Sequence, residues 1–111
     1  MSKYRMVLVT ASSKSEAEKI AIHLVKKALA ACVNIVPKIR SVYGWEGKVE
    51  ISNEVLLIIK SKKSLLKDLE KAVRKVHSYE VPEIVSIEIE EGSSDYLDWM
   101  ESLLKKQSRK K

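Results

Sequence analysis

The chain is 111 residues long, with 21 Lys+Arg against 15 Asp+Glu, 45% hydrophobic residues and a single cysteine. One domain of this length buries roughly two-thirds of its unfolded surface, so it needs neither disulfides nor a structural metal, and a lone Cys32 excludes an intrachain bridge and suits a reducing cytoplasm. Five of the basic residues stand in the tail KKQSRKK, without which the body is nearly neutral; with no interleaving of basic and aromatic residues elsewhere, nucleic-acid binding is not expected.

The opening MSKYRMVLVT is too short and too charged for a signal sequence, and no apolar run is long enough to span a membrane, so a soluble cytoplasmic protein is expected. Charged residues reach 32% while Asn and Gln are scarce, a balance that leans toward a heat-adapted source.

In chain order, the run Met6–Thr10 predicts a fully buried strand. Ser13 and Glu16 have the spacing of a capping box, and Ala17, Ile20, Ala21, Leu24, Val25, Ala28 and Leu29 form one helical stripe. Two extended stretches, Cys32 to Tyr43 and Lys48 to Lys60, flank the loop GWEG, whose glycines permit positive φ, and together predict a long hairpin. Ser64 is placed to cap a second helix with Leu65, Leu69, Ala72, Val73 and Val76 inward. A last strand is expected from about Pro82 to Glu90, with Val85, Ile87 and Ile89 on the covered side and Ser86, Glu88 and Glu90 facing out. A final helix buries Leu97, Met100 and Leu104.

The order β-α-β-β-α-β-α is the ferredoxin-like plan, an α+β sandwich with a long hairpin and an extra C-terminal helix. Residues 1–104 are read as one such domain and residues 105–111 as a flexible basic tail. In that plan both main helices cover one sheet face, yet EVLLIIK, Glu54 to Lys60, is apolar on both. An oligomer is the expected cover, with the short final helix as the competing one.

The densest functional-group chemistry is in HSYEVPEI, His77 to Ile84. If the strand's two-residue period runs back to Glu83, a carboxylate falls on the apolar side and requires a partner, for which Lys60 is a candidate; if the strand begins later, Glu83 meets solvent. His77 either satisfies the end of the second helix or serves as a metal ligand or acid-base group beside Tyr79 and Glu83. Cys32 is either a small buried hydrophobe or a reactive thiol. One Cys and two His do not make a closed zinc site, and no nucleophile with base and orienting acid is present, so no enzyme is expected.

Taken together, LAACVNIVPKIRSVYGWEGKVE, EVLLIIKS, HSYEVPEI and DYLDW closely resemble the CutA family of divalent-cation tolerance proteins, in order and spacing from about Met6 to Leu104. The resemblance implies a cytoplasmic homotrimer of PII-like architecture, involved in tolerance of copper and other divalent metal ions, with weak Cu(II) binding at His77. It also implies a ligand-binding cleft between subunits, carried onto Cys32, Asn34, Tyr43, Trp45, Lys60, His77, Tyr79, Pro82 and Glu83. Two alternatives accompany that reading: the cleft holds a small anionic metabolite, with Lys60 supplying charge, Trp45 and Tyr79 a wall and Asn34 a donor; or the trimer is an interaction scaffold without ligand. Where the family usually has proline after the histidine this chain has Ser78. Val9 and Val76 stand where some bacterial members have a cysteine and a second histidine, so a copper site patterned on those members retains His77 alone.

Overall fold

The computed structural model describes residues 2–106. A strand β1 (Tyr4–Ala11) leads into helix α1 (Lys14–Lys26), followed by the hairpin β2 (Cys32–Trp45) and β3 (Lys48–Lys62). One 3-10 turn (Lys63–Leu65) opens helix α2 (Leu66–Val76), after which come β4 (Ile84–Glu88) and α3 (Ser94–Leu103). The four strands form one antiparallel sheet in the order β2-β3-β1-β4, the expected ferredoxin-like topology.

The sheet register decides what each face carries. Across the helix-covered face run Val7 opposite Ile59, Val9 opposite Leu57, and Ala11 opposite Val55. All six are buried, with Ala17, Ile20 and Leu24 of α1 and Leu65, Leu69 and Val73 of the second helical segment packed into the same core. The other face carries Met6, Leu8, Leu56 and Ile58, flanked by Val36 on β2 and by Val85 and Ile87 on β4. Here the expectation for the last strand is reversed. Ser86 lies opposite Val7 on the helix side, and Val85 and Ile87 lie opposite Leu8 and Met6 on the open side, 49% and 46% exposed. β4 is an edge strand that begins only at Ile84, so its helix-side positions Ser86 and Glu88 reach past the helices into water, and its apolar row joins the open face.

The hairpin overshoots the sheet. The β1–β3 ladder ends at Ala11–Val55, whereas β2 and β3 stay paired out to Trp45–Lys48. Ile39–Trp45 and Lys48–Glu54 therefore form an arm without a third strand, exposing Val42, Val49 and Ile51 on one face. The turn is tighter than the GWEG loop expected: Gly44 and Trp45 pair within the strand, and only Glu46 and Gly47 turn, with φ of 51° and 79°. Positive φ at both central residues is the two-residue turn whose twist matches a hairpin. A bulge between Val36 and Ile39, with Lys38 at φ 61°, separates arm from sheet.

The helix starts follow the sequence only in part. Ser13 caps α1, its Oγ accepting from Glu16 N–H at 3.1 Å, but Glu16 does not return to Ser13 as a capping box requires. Its carboxylate accepts instead from Ser12 N–H (2.9 Å) and Oγ (2.8 Å), and from Ser78 N–H at 2.6 Å. Ser64 caps nothing, because it lies inside the 3-10 turn and α2 starts without a side-chain cap. The last helix is fixed where Tyr4 and Lys62 pair: Glu101 accepts from Lys62 Nζ (3.2 Å) and the Tyr4 hydroxyl (3.3 Å). Lys105 N–H then donates to Ala28 O at 2.8 Å, so the basic tail is anchored at its first residue; residues 107–111 lie outside the described residues.

Two outcomes follow. Leu57→Ala empties a fully buried site between β1 and both helices and lowers unfolding free energy by about 2–5 kcal/mol in denaturant titration. Glu16 ionises well below its usual range, at about 2: burial opposes its charge, but the Ser12 and Ser78 donors outweigh that cost. A carboxyl with a depressed folded-state pKa stabilises fully above its unfolded value near 4.5, and that contribution is lost as pH falls toward 2. Glu16→Gln accordingly lowers stability at neutral pH and flattens its decline between those limits, as followed by thermal unfolding across pH.

Candidate functional site

The stretch from His77 to Glu83 joins α2 to β4 and lies beneath the hairpin arm. α2 ends cleanly, His77 N–H donating to Val73 O at 2.9 Å before the chain turns extended. The imidazole is then used at both nitrogens. Tyr79 N–H donates to Nδ1 at 3.0 Å, so Nδ1 presents its lone pair, and Nε2 at 2.6 Å from the Thr10 carbonyl must carry the proton and donate it. That carbonyl lies one residue past the last β1–β4 pair, Val9–Ile84. His77 thus joins the end of the sheet to the corner and holds it in a turn across two residues. Its side chain is sealed from solvent, and neither nitrogen is open to a metal.

The Tyr79 ring packs against the His77 ring at 4.7 Å, tilted by 50°, and its hydroxyl donates to Glu54 Oε2 at 2.6 Å. Burial, the hydrogen bond to Glu54 and the negative charge of that carboxylate hold the phenol proton far above its ordinary range, so Tyr79 is a donor and not a base. Pro82 is buried and sets the turn into β4, while Glu83 precedes that strand and is exposed. The alternative in which Glu83 faces solvent is therefore the one realised. Lys60 is not its partner: Lys60 lies opposite Met6, toward the far end of β1 from Ile84.

Between arm and corner opens a cleft of about 830 Å³. Tyr43, Trp45 and Tyr79 give it aromatic surface, and the Tyr43 hydroxyl is tied to Ser52 Oγ at 2.8 Å. Among the described residues its charged lining consists of Glu50, Glu54, Glu80 and Glu83, with no lysine or arginine. The nine residues singled out from the sequence consequently separate into two places. Tyr43, Trp45, Tyr79 and Glu83 line the cleft, with His77 and Pro82 buried at the corner. Cys32, Asn34 and Lys60 sit together on the open sheet face, where Cys32 lies opposite Lys60 and the ammonium of Lys60 donates to Asn34 Oδ1. Burial together with the neighbouring Cys32 thiol raises the Tyr96 phenol there. Within one chain, Lys60 and Asn34 of the anion site expected between subunits thus lie apart from its Trp45 and Tyr79. Glu54 and Glu16 were missed by sequence reasoning. Each partners the corner through the fold alone, although the even spacing from Ile58 and Leu56 back to Glu54 placed a carboxylate beside an apolar run.

Comparison with known proteins agrees with this architecture. Residues 5–103 match the family described as CutA1 divalent ion tolerance protein. The chain is 47% identical over 97 residues to the Arabidopsis thaliana "Protein CutA, chloroplastic", covering 87% of this chain and 53% of that protein. The "Divalent-cation tolerance protein CutA" of Thermus thermophilus is 45% identical, covering 86% and 92%. The chain thus spans about half the length of the plant and animal relatives it matches and nearly all of the bacterial one. Among solved structures, CutA1 from Oryza sativa superposes with a TM-score of 0.91 at 43% identity, covering 93% of this chain and 94% of that one. The divalent cation tolerance protein of Thermus thermophilus superposes at 0.90 with 42% identity, covering 92% and 99%. With a family match across almost the whole described fold and relatives well above 40% identity, the chain belongs to the CutA1 divalent ion tolerance family.

Proposed function

We propose that this chain works as a cytoplasmic, non-enzymatic homotrimer in tolerance of divalent cations, and that its sheets pack inward on one another. The observation that carries the reading is the open face. Met6, Leu8, Leu56 and Ile58 form a continuous apolar strip, widened by Val36, Val85 and Ile87, and α3 is pinned at one end of it. Apolar surface of that continuity on a chain this small marks an interaction face. The arm adds a second apolar surface at Val42, Val49 and Ile51, with Val49 76% exposed. Arm and sheet face are different surfaces, and a head-to-tail contact between them closes into a ring where its rotation permits. Three is the ring size that the family resemblance implies.

The metal chemistry of this reading lies outside any closed site in one subunit. Among the described residues no three of His, Cys, Asp and Glu stand close enough to hold an ion, and the His77 nitrogens are both committed to backbone groups. The residues present do not fit a Cu(II) centre, and copper enters this account as a cargo that the trimer responds to, not as a resident ion.

In sedimentation at low micromolar concentration the protein runs at three times its chain mass of 12.6 kDa, and a single compact species at that mass contradicts the assembly. Calorimetric titration with Cu(II) yields shallow, superimposable curves for wild type and His77→Ala. A tight stoichiometric isotherm that disappears in the variant makes His77 a ligand after all.

A further inference from the structure

Taken over the whole body the charges nearly cancel, but the fold sorts them. From His77 to Leu104 there are eight acidic residues and no lysine or arginine. The two helices that cover the core carry the compensating excess: residues 14–27 hold four basic residues against two acidic ones, and residues 63–75 five against two. Helical spacing gathers these cations. On α1, Lys19 and Lys26 are exposed on the side away from the buried Ala17, Ile20, Ala21 and Leu24. On α2, Lys67, Lys71 and Arg74 follow one another at four and three residues, opposite the buried Leu69 and Val73. Among the described residues Arg74 pairs with Glu70 at 3.2 Å, and the other four cations meet no carboxylate. The helices pack against each other on one sheet face, so the two rows form one basic surface. The C-terminal stretch starts at its border: Lys105 N–H donates to Ala28 O at 2.8 Å, just past Lys26 and Lys27, and Arg109, Lys110 and Lys111 are still to follow in sequence.

The face is not purely charged. Ile22, between Lys19 and Lys26 on the outward side of α1, is 56% exposed, and Val25 beside it 45%. No aromatic ring stands on α1 or α2. A nucleic acid would meet the cations but find nothing to stack on its bases, and its phosphate backbone offers an isoleucine no partner. An anionic bilayer uses both features: its headgroups take the lysines, whose stems are apolar, and the acyl boundary takes the exposed aliphatic side chains. The helix layer is on the opposite side of the sheet from Met6, Leu8, Leu56 and Ile58, so the assembly proposed above leaves it facing outward.

We propose that the outer face of α1 and α2 docks the protein reversibly on a membrane surface rich in anionic lipid. A protein held in this way lies on the bilayer and does not span it, and its attachment weakens as salt screens the lysines.

The full chain cosediments with mixed phosphatidylcholine–phosphatidylserine vesicles at low ionic strength and not with phosphatidylcholine alone, and the bound fraction falls as salt is added. Lys19→Gln, Lys26→Gln, Lys67→Gln and Lys71→Gln together reduce partitioning by about a hundredfold or more. All four side chains are exposed, so this variant keeps the wild-type fold, which circular dichroism checks. Ile22→Ser serves as a second variant, reducing partitioning by about threefold to tenfold at unchanged charge. Equal partitioning onto both vesicle types, none onto either, or an unaltered quadruple variant, which places the attraction outside the helices, overturns the proposal. So does an Ile22→Ser variant that partitions as wild type, the result expected of a surface for polyanions in general, which binding of duplex DNA then identifies.

Discussion

The sheet of this protein is apolar on both sides, and one chain lays helices across only one of them, with α3 pinned at one end of the other. That imbalance follows directly from the β3 sequence. A run such as EVLLIIK alternates its side chains across the sheet, so Leu57 and Ile59 enter the core while Leu56 and Ile58 emerge on the far face. Removing apolar surface from water is worth roughly 25 cal/mol per Å², and the open strip forgoes that gain in a solitary chain. The arm, unsupported by a third strand, is left in the same condition. Both features are accounted for together by the assembly proposed above, in which arm and face cover one another in neighbouring copies.

The corner from His77 to Glu83 is explained by a different constraint, the accounting of backbone polar groups. The Thr10 carbonyl just past the last β1–β4 pair and the Tyr79 amide in the turn are both satisfied by one imidazole, and the Ser78 amide by Glu16. The amide of Ser78 explains a feature of the sequence as well. A proline at that position, which the family resemblance leads one to expect, would have no N–H to give Glu16, so it is Ser78 that lets this chain tie the start of α1 to the corner. What looks in sequence like a catalytic constellation is largely a set of hydrogen bonds that hold a loop under an arm. The chemistry left over faces the cleft: the aromatic rings and the exposed carboxylates.

Much of this fold was legible in the residues because its signals are periodic. The stripe from Ala17 to Leu24, the apolar β1 run and the hairpin with Gly47 each state their local structure, and their order states the topology. Failures fell where geometry is set by neighbours. β4 is short, and its two-residue period cannot say which row faces the helices; β1 decides that by pairing Ser86 with Val7. Ser64 has the chemistry of a cap but lies one residue before the N-cap position of α2, Leu65, inside the 3-10 turn Lys63–Leu65. The candidate site was legible as a list and not as a place. Cys32, Asn34 and Lys60 are near one another through strand pairing, and Tyr43, Trp45 and Tyr79 through the reach of the arm, and nothing in the linear pattern divides the two sets. Glu54 reads as the polar end of a strand until Tyr79, 25 residues on, is folded against it.

The central claim is that the second sheet face is buried only by other copies of the chain, and the stability of the protein then depends on its own concentration. Thermal unfolding followed over a hundredfold range of protein concentration tests this most directly, because folding linked to association raises the midpoint with concentration by mass action. The account predicts a midpoint that climbs steadily across the series. A midpoint that stays constant over the whole range contradicts it.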